Sequence, residues 1–548
     1  MMKKYQTAQR SCMKILHMSL LVLTTLAITA SDSDSSEVTT SQNLFLHRAF
    51  SANIAREMMM EGHIIKTDFD GIYSFLSATG AYQRSWDQNS TTGLGARPFW
   101  SGTNSMSVGI NGGPIVAGGP VVNPISSLDA YQFGLGNVST TGQIQLNPIV
   151  YQGGSDFLLY YGSSTNDPSL FMKFKAPLGI IAINPQFTEE VNATATPYGA
   201  GSLQASSNTT YQPATSMEQA FAGTTNTTLA GDFRVMEKGL INGTQKSGVK
   251  FADIELTLGY NVICDEDNLF GFGFRASGPS GNKPTGQYAL EPIFGRGSSW
   301  GVGGYVVGNL KLWESHEEKY FSVNIMGTVL HLLGSNTVRS YDLTINGAGS
   351  KYLLVADYAN NAYQGDIQNL INISTLNSQS GFGAEGDAAI AFQYVSQGWE
   401  FDLGYNFWGR TKETLSITDE FPIARYAILG RQQVGTGTGA AVSTLCQPSA
   451  TISTSIDALG GADAVNANTV ALDATMPANR IAGNSAFNIA AAEQASASSS
   501  KIFSKTAYSW IDSYMSPHIG LIGEFEISTS KNNALNQWSI ALVGGLYF

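Results

Sequence analysis

Apolar and polar positions alternate with period two along most of this chain from about residue 64 onward. In KFADIELTLGYNVI (250–263), Ile254, Leu256, Leu258, Tyr260 and Val262 alternate with Asp253, Glu255, Thr257, Gly259 and Asn261. In LFGFGFR (269–275), Phe270, Phe272 and Phe274 stand opposite Gly271, Gly273 and Arg275, and CDEDN (264–268) is the polar connection of a hairpin. The pattern recurs in YFSVNIMGTVL (320–330), WEFDLGYNFWGR (399–410), HIGLIGEFEIS (518–528) and NQWSIALVGGLYF (536–548). Period two places successive side chains on opposite faces of a strand, so each segment reads as a strand with one apolar face.

The polar parity carries Asp, Glu, Asn, Gly and Thr rather than a fringe of Lys and Glu. Aromatic residues crowd the strand ends, where membrane barrels carry interfacial girdles. Strands in lipid must pair every backbone group, which forces a closed sheet. The expected fold is all-β: a transmembrane antiparallel β-barrel of roughly 12 to 16 strands, even numbers being the rule. Long insertions at 184–230 and 431–500 fit its long loops, and 478–498 has helix-forming composition. Counting strands back from the last one places 411–500 outside and the Ser396–Gly398 turn inside. The same count leaves 277–299 as a twenty-residue segment on the periplasmic side and KYLLVADY (351–358) ambiguous.

Composition agrees with this reading. Charged residues are 13% of 548, about half of the usual ~25%, with 59 Gly, 27 Phe and 23 Tyr. The mean hydropathy is nonetheless only -0.04. A net charge of -12 leaves no broad basic face for nucleic acid. Residues 1–30 run from basic (Lys3, Lys4, Arg10, Lys14) through apolar (LLVLTTLAITA) to small, the order of a secretory signal peptide. Residues 31–63 then read as a flexible N-terminus and a short helix, in which Leu44, Phe45, Ala49, Ile54 and Met58 share a face; it either packs on the body or plugs it. The barrel is assigned to 64–548.

The chemistry-bearing positions argue against an enzyme. His518 and Glu524 share a parity, but six residues of strand separate them by about 20 Å. GTGTGA (435–440) lacks the strand and helix of a nucleotide loop. Neither a metal site nor a cofactor is expected, and Cys264 and Cys446 are free to pair or not. The polar parity instead supplies a candidate lumen lining: Asp253, Glu255, Arg275, Glu400, Asp402, Arg410, Glu524 and Glu526. Six acids against two arginines imply a negative lumen and a mild cation preference. Neutralising Asp253, Glu255, Glu400 and Asp402 together is expected to move the reversal potential toward anions.

The last strand resembles the C-terminal signal of bacterial outer-membrane barrels, an alternating strand ending in Phe that the barrel-assembly machinery reads. Trp538, Ile540, Leu542, Leu546 and Phe548 match it, and Gly544 interrupts the face. SGPSGNKPTGQYALEPIFGRGSSWGVGGYVVG (277–308) resembles a segment of porin-like outer-membrane proteins. The resemblance implies a protein of the cell outer membrane, with outer-membrane lipid and the assembly machinery as partners. The expected function is a porin-like channel for passive diffusion of small polar solutes, with 431–500 and then 184–230 as candidate constricting loops. A homo-oligomer is compatible with it. The alternative is a non-conducting surface barrel acting through its loops as a structural protein or adhesin.

Overall fold

The computed structural model describes residues 45–547 apart from 62–70, 87–91, 110–126, 136–140, 165–168, 194–213, 225–231, 265–266, 316–318, 345, 360–361, 429–440, 445–447, 453–479, 511–514 and 529–532. The signal-peptide assignment, Phe548 and Cys446 lie outside the described residues.

Twelve antiparallel strands close on themselves. In chain order they are β1 (Gly71–Ser85), β2 (Ile149–Ser164), β3 (Ser169–Asn184), β4 (Ile254–Cys264), β5 (Asn268–Gly278), β6 (Gly301–Ser315), β7 (Lys319–Ser340), β8 (Thr375–Ser396), β9 (Trp399–Arg410), β10 (Ala497–Ser509), β11 (Ser516–Ser528) and β12 (Gln537–Tyr547). Each pairs with the next, and β12 pairs with β1, so the sheet has no open edge.

Side-chain exposure follows the parity of the sequence. Leu256, Leu258, Phe272, Phe274, Leu403, Tyr405, Ile519, Leu521, Ile540 and Leu542 face outward and are exposed. Their neighbours Glu255, Thr257, Arg275, Asp402, Asn406 and Ser539 face inward and are buried. Aromatic groups band both ends of this apolar wall. At one end Tyr82 meets Trp538 at 5.7 Å and Trp86 stacks on Phe525 at 5.1 Å. At the other, Tyr508 lies 5.2 Å from Trp399 and 5.1 Å from Trp510. An apolar belt between two aromatic girdles is the exterior that a hydrocarbon layer selects.

All the long connections leave one end of the barrel, namely 86–148, 185–253, 279–300, 341–374, 411–496 and 529–536. All the short ones lie at the other. The 277–299 segment therefore stands with the long loops, and its expected periplasmic position is corrected. The error came from 351–358. Its strand, Leu354–Ala359, belongs to a four-stranded sheet over the mouth, with Tyr426–Ile428, Ala362–Asn369 and Phe233–Arg234, and not to the wall. Counting it in the wall reverses the direction of everything before it.

The loops form a cap with its own apolar core, including Trp100, Val108, Phe133, Phe221, Tyr352 and Phe487. β8 rises above the belt to support it: its outward residues change from Phe392 and Tyr394 to Asn377 and Gln379. Among the described residues of the helix-forming stretch 478–498 there are a 3₁₀ turn, Gly483–Ala486, and a four-residue helix, Ile489–Ala492.

The turn between β8 and β9 shows how tightly the short end is built. Gln397 and Gly398 have φ of 51° and 81°. Two positive φ angles in a two-residue loop suit the right-handed twist of a hairpin. A Cβ at Gly398 would lie 2.6 Å from the Ser509 carbonyl oxygen. Gly398→Ala is therefore expected to cost at least about 1–2 kcal/mol, seen as a lower urea midpoint for unfolding from lipid vesicles.

Candidate functional site

The barrel interior is occupied by the chain's own N-terminal segment. Residues 45–61 are all buried, and they end in helix α1 (Ile54–Glu61). Asn53 starts the helix: its side-chain oxygen accepts the Arg56 amide at 3.1 Å, as an N-cap does. The Asp387 carboxylate of β8 accepts the Ile54 amide at 3.0 Å, placing an anion at the positive helix end. Phe45 reaches the cap, where it lines a small pocket with Trp100 and Tyr352. At the other end the Tyr547 hydroxyl donates to the Glu61 carbonyl at 3.3 Å. The segment thus runs the length of the barrel and plugs it.

Charged groups fix the plug to the wall. The Arg48 guanidinium donates to Glu526 at 3.0 Å, and to Asp387 and Asn406 at 2.9 Å each. Arg56 donates to Asp156 and to Glu524, both at 3.1 Å. Glu57 accepts from Arg275 at 3.0 Å and lies 3.5 Å from the Lys175 ammonium. Glu61 pairs with Lys173. Such charges are expensive to take from water and are held only by close, well-bonded partners. Apolar plug residues fill the rest: Phe50, Ile54, Met58, Met59 and Met60 pack with Phe75, Tyr160 and Phe171 of the wall.

All eight residues expected to line the lumen are buried. Six of them gather around the plug and the loop beside it. Glu524, Glu526 and Arg275 hold Arg56, Arg48 and Glu57. Asp253 accepts from the Ser51 hydroxyl at 3.0 Å, and Arg410 donates to the Leu46 carbonyl at 3.1 Å. Glu255 is paired with Arg296 at 3.0 Å. Glu400 and Asp402 stand apart, with Lys505 at 2.7 and 3.7 Å.

Arg296 belongs to the 279–300 loop and also reaches Glu385 at 2.7 Å. That loop therefore narrows the mouth. Much of 431–500 and 184–230, the expected constrictions, lies outside the described residues. The sequence reading also missed Arg48, Arg56, Glu57, Asp156, Lys173, Lys175, Asp387, Lys501 and Lys505. Lys173 and Lys175 were available from parity, since they alternate with Met172 and Phe174; Lys501 and Lys505 were not, because Phe503 shares their inward parity while Ser504 and Thr506 stand on the outward one. The plug charges carried no such signal, because their partners lie 100 or more residues away. His518 packs on Tyr547 at 5.1 Å between ring centres. Among the described residues there is no group of His, Cys, Asp and Glu arranged to hold a metal.

No family model and no curated protein matches this chain. Among solved structures it is similar to an outer-membrane channel from Pseudomonas putida F1, with 9% identity, a TM-score of 0.33, and coverage of 89% of this chain and 98% of that one. It is also similar to the transport unit of the autotransporter AIDA-I from Escherichia coli (6%, 0.22, 92% and 99%). A third is a mutant of the monoaromatic hydrocarbon channel TodX (7%, 0.30, 87% and 90%).

Proposed function

We propose that this protein is an outer-membrane channel for passive diffusion of small polar solutes, closed in the conformation described by its own N-terminal plug. The observation that carries the reading is the polar surface between plug and wall. A barrel needing only stability gains more from an apolar filling than from buried ion pairs. Here a segment separate from the wall is joined to it by charged groups that water would solvate once they part. The apolar belt and girdles support a wall that lies in lipid. The face of Trp538, Ile540, Leu542 and Leu546, with Phe548, serves as the signal for the assembly machinery.

Among the wall groups, carboxylates outnumber basic side chains, so the open lumen is proposed to prefer cations mildly. Planar-bilayer recording of the refolded chain under a KCl gradient tests both points. The expected result is long closures broken by openings whose reversal potential is displaced toward that of K⁺. Absence of conductance, even after the plug arginines are replaced, contradicts the reading. That outcome favours a surface barrel acting through its loops, which the filled lumen and the separately packed cap also suit.

A further inference from the structure

The plug charges are sorted by side. Both arginines bind the sector formed by β8, β11 and β2, through Asp387, Glu526, Glu524 and Asp156. Both glutamates bind the sector formed by β3 and β5, through Lys173, Lys175 and Arg275. Wall groups alone do not balance either sector. On the acidic side Lys501 lies 3.5 Å from Glu524 and from Glu526. On the basic side Glu255 lies 3.5 Å from Arg275 and 3.8 Å from Lys175. Arg56 and Glu57, adjacent in the chain, span the two sectors at one level. Their guanidinium and carboxylate occupy two poles of opposite sign that meet where β2 pairs with β3.

We infer that this level, once vacated, is a binding site for a zwitterionic solute bearing a guanidinium or ammonium group and a carboxylate, with Arg56 and Glu57 standing in for it. The acidic pole, Asp156 and Glu524, accepts the cation. The basic pole, Arg275 and Lys175, donates to the carboxylate. Charge-assisted hydrogen bonds are about twice as strong as neutral ones. A solute that satisfies both poles is therefore favoured over one that satisfies a single pole and leaves the other unpaired. The inference rests on the channel reading, because a solute reaches this level only by displacing the plug.

The test uses full-length R56A/E57A, which removes both plug charges from the two poles, favours the displaced plug and changes no wall residue. L-arginine carries both groups, agmatine is the same molecule without the carboxylate, and pentanoate supplies the carboxylate alone. Titration calorimetry in detergent is expected to give saturable binding of L-arginine. Agmatine and pentanoate should each bind about tenfold or more weakly, as the loss of one charged hydrogen-bonded pole implies. Adding E524Q should weaken L-arginine by a similar factor. Equal affinities for the three solutes, or no saturable L-arginine binding, overturns the inference. If that variant does not refold, R56Q/E57Q, which keeps polar side chains of similar length, replaces it, and the same order is required. Conductance is recorded on the same sample. Ordered binding without conductance contradicts the channel and leaves the site standing; conductance without ordered binding contradicts the site alone.

Discussion

Replacing Arg48 and Arg56 together by alanine opens the lumen. In the plugged state each guanidinium neutralises two buried carboxylates: Asp387 and Glu526 for Arg48, and Asp156 and Glu524 for Arg56. Removing one partner of a buried pair costs about 3–5 kcal/mol, because the other charge is left dry and unpaired. The unplugged state suffers little of this, since water fills the lumen and solvates the carboxylates in both proteins. Each substitution therefore shifts the closed-to-open ratio by roughly two or more powers of ten. The two share Lys501 and the helix start, so their effects need not add. The expected record in a planar bilayer is a mostly open channel where the parent chain is mostly closed. Arg425→Ala is the control. Its pair with Asp357 lies in the cap with the arginine 53% exposed, so its loss costs at most about 1 kcal/mol and leaves the current unchanged.

Leu542→Arg prevents stable insertion. Leu542 sits midway along β12, faces outward and is 62% exposed. A charge on the lipid face at the midplane costs about 2–4 kcal/mol, falling to about 0–1 near the interface. Leu170→Arg serves as the comparison, because Leu170 also points outward but lies at the start of β3, beside a short turn. Urea titration of folding into lipid vesicles is expected to show a large loss for Leu542→Arg and almost none for Leu170→Arg. Equal losses contradict the depth assigned to the two positions.

The wall was legible wherever its two faces differ chemically. Leu256, Leu258 and Tyr260 against Glu255, Thr257 and Asn261 need only the pleat and a difference in polarity. The pattern fails in the upper part of β3, where Ile181 and Ile183 face inward and are buried. Apolar contacts inside the wall there remove the alternation. The cap was not legible, because its strands are short and buried on both sides, as Leu354, Val355 and Ala356 are. Residues 351–358 were therefore ambiguous by pattern, and counting them with the wall misplaces 277–299. The inward set was legible as a list but not as an arrangement. Parity placed Glu524 and Arg275 on polar faces; only closure of β2 on β3 and insertion of residues 45–61 bring opposite charges to each of them. That also alters the expected charge of the lumen, since the basic plug and wall residues offset acids that had seemed alone.

The central claim is that the wall lies in lipid, with its polar parity enclosed behind it. A nitroxide placed in turn at each residue of β9, in vesicles, tests it most directly. Oxygen accessibility should peak at Trp399, Phe401, Leu403, Tyr405 and Phe407 and fall at each residue between, with a polar nickel reagent excluded from the outward positions. A nickel accessibility at Leu403 as high as at Ile423, which is 69% exposed in the cap, would show that water rather than lipid covers the wall.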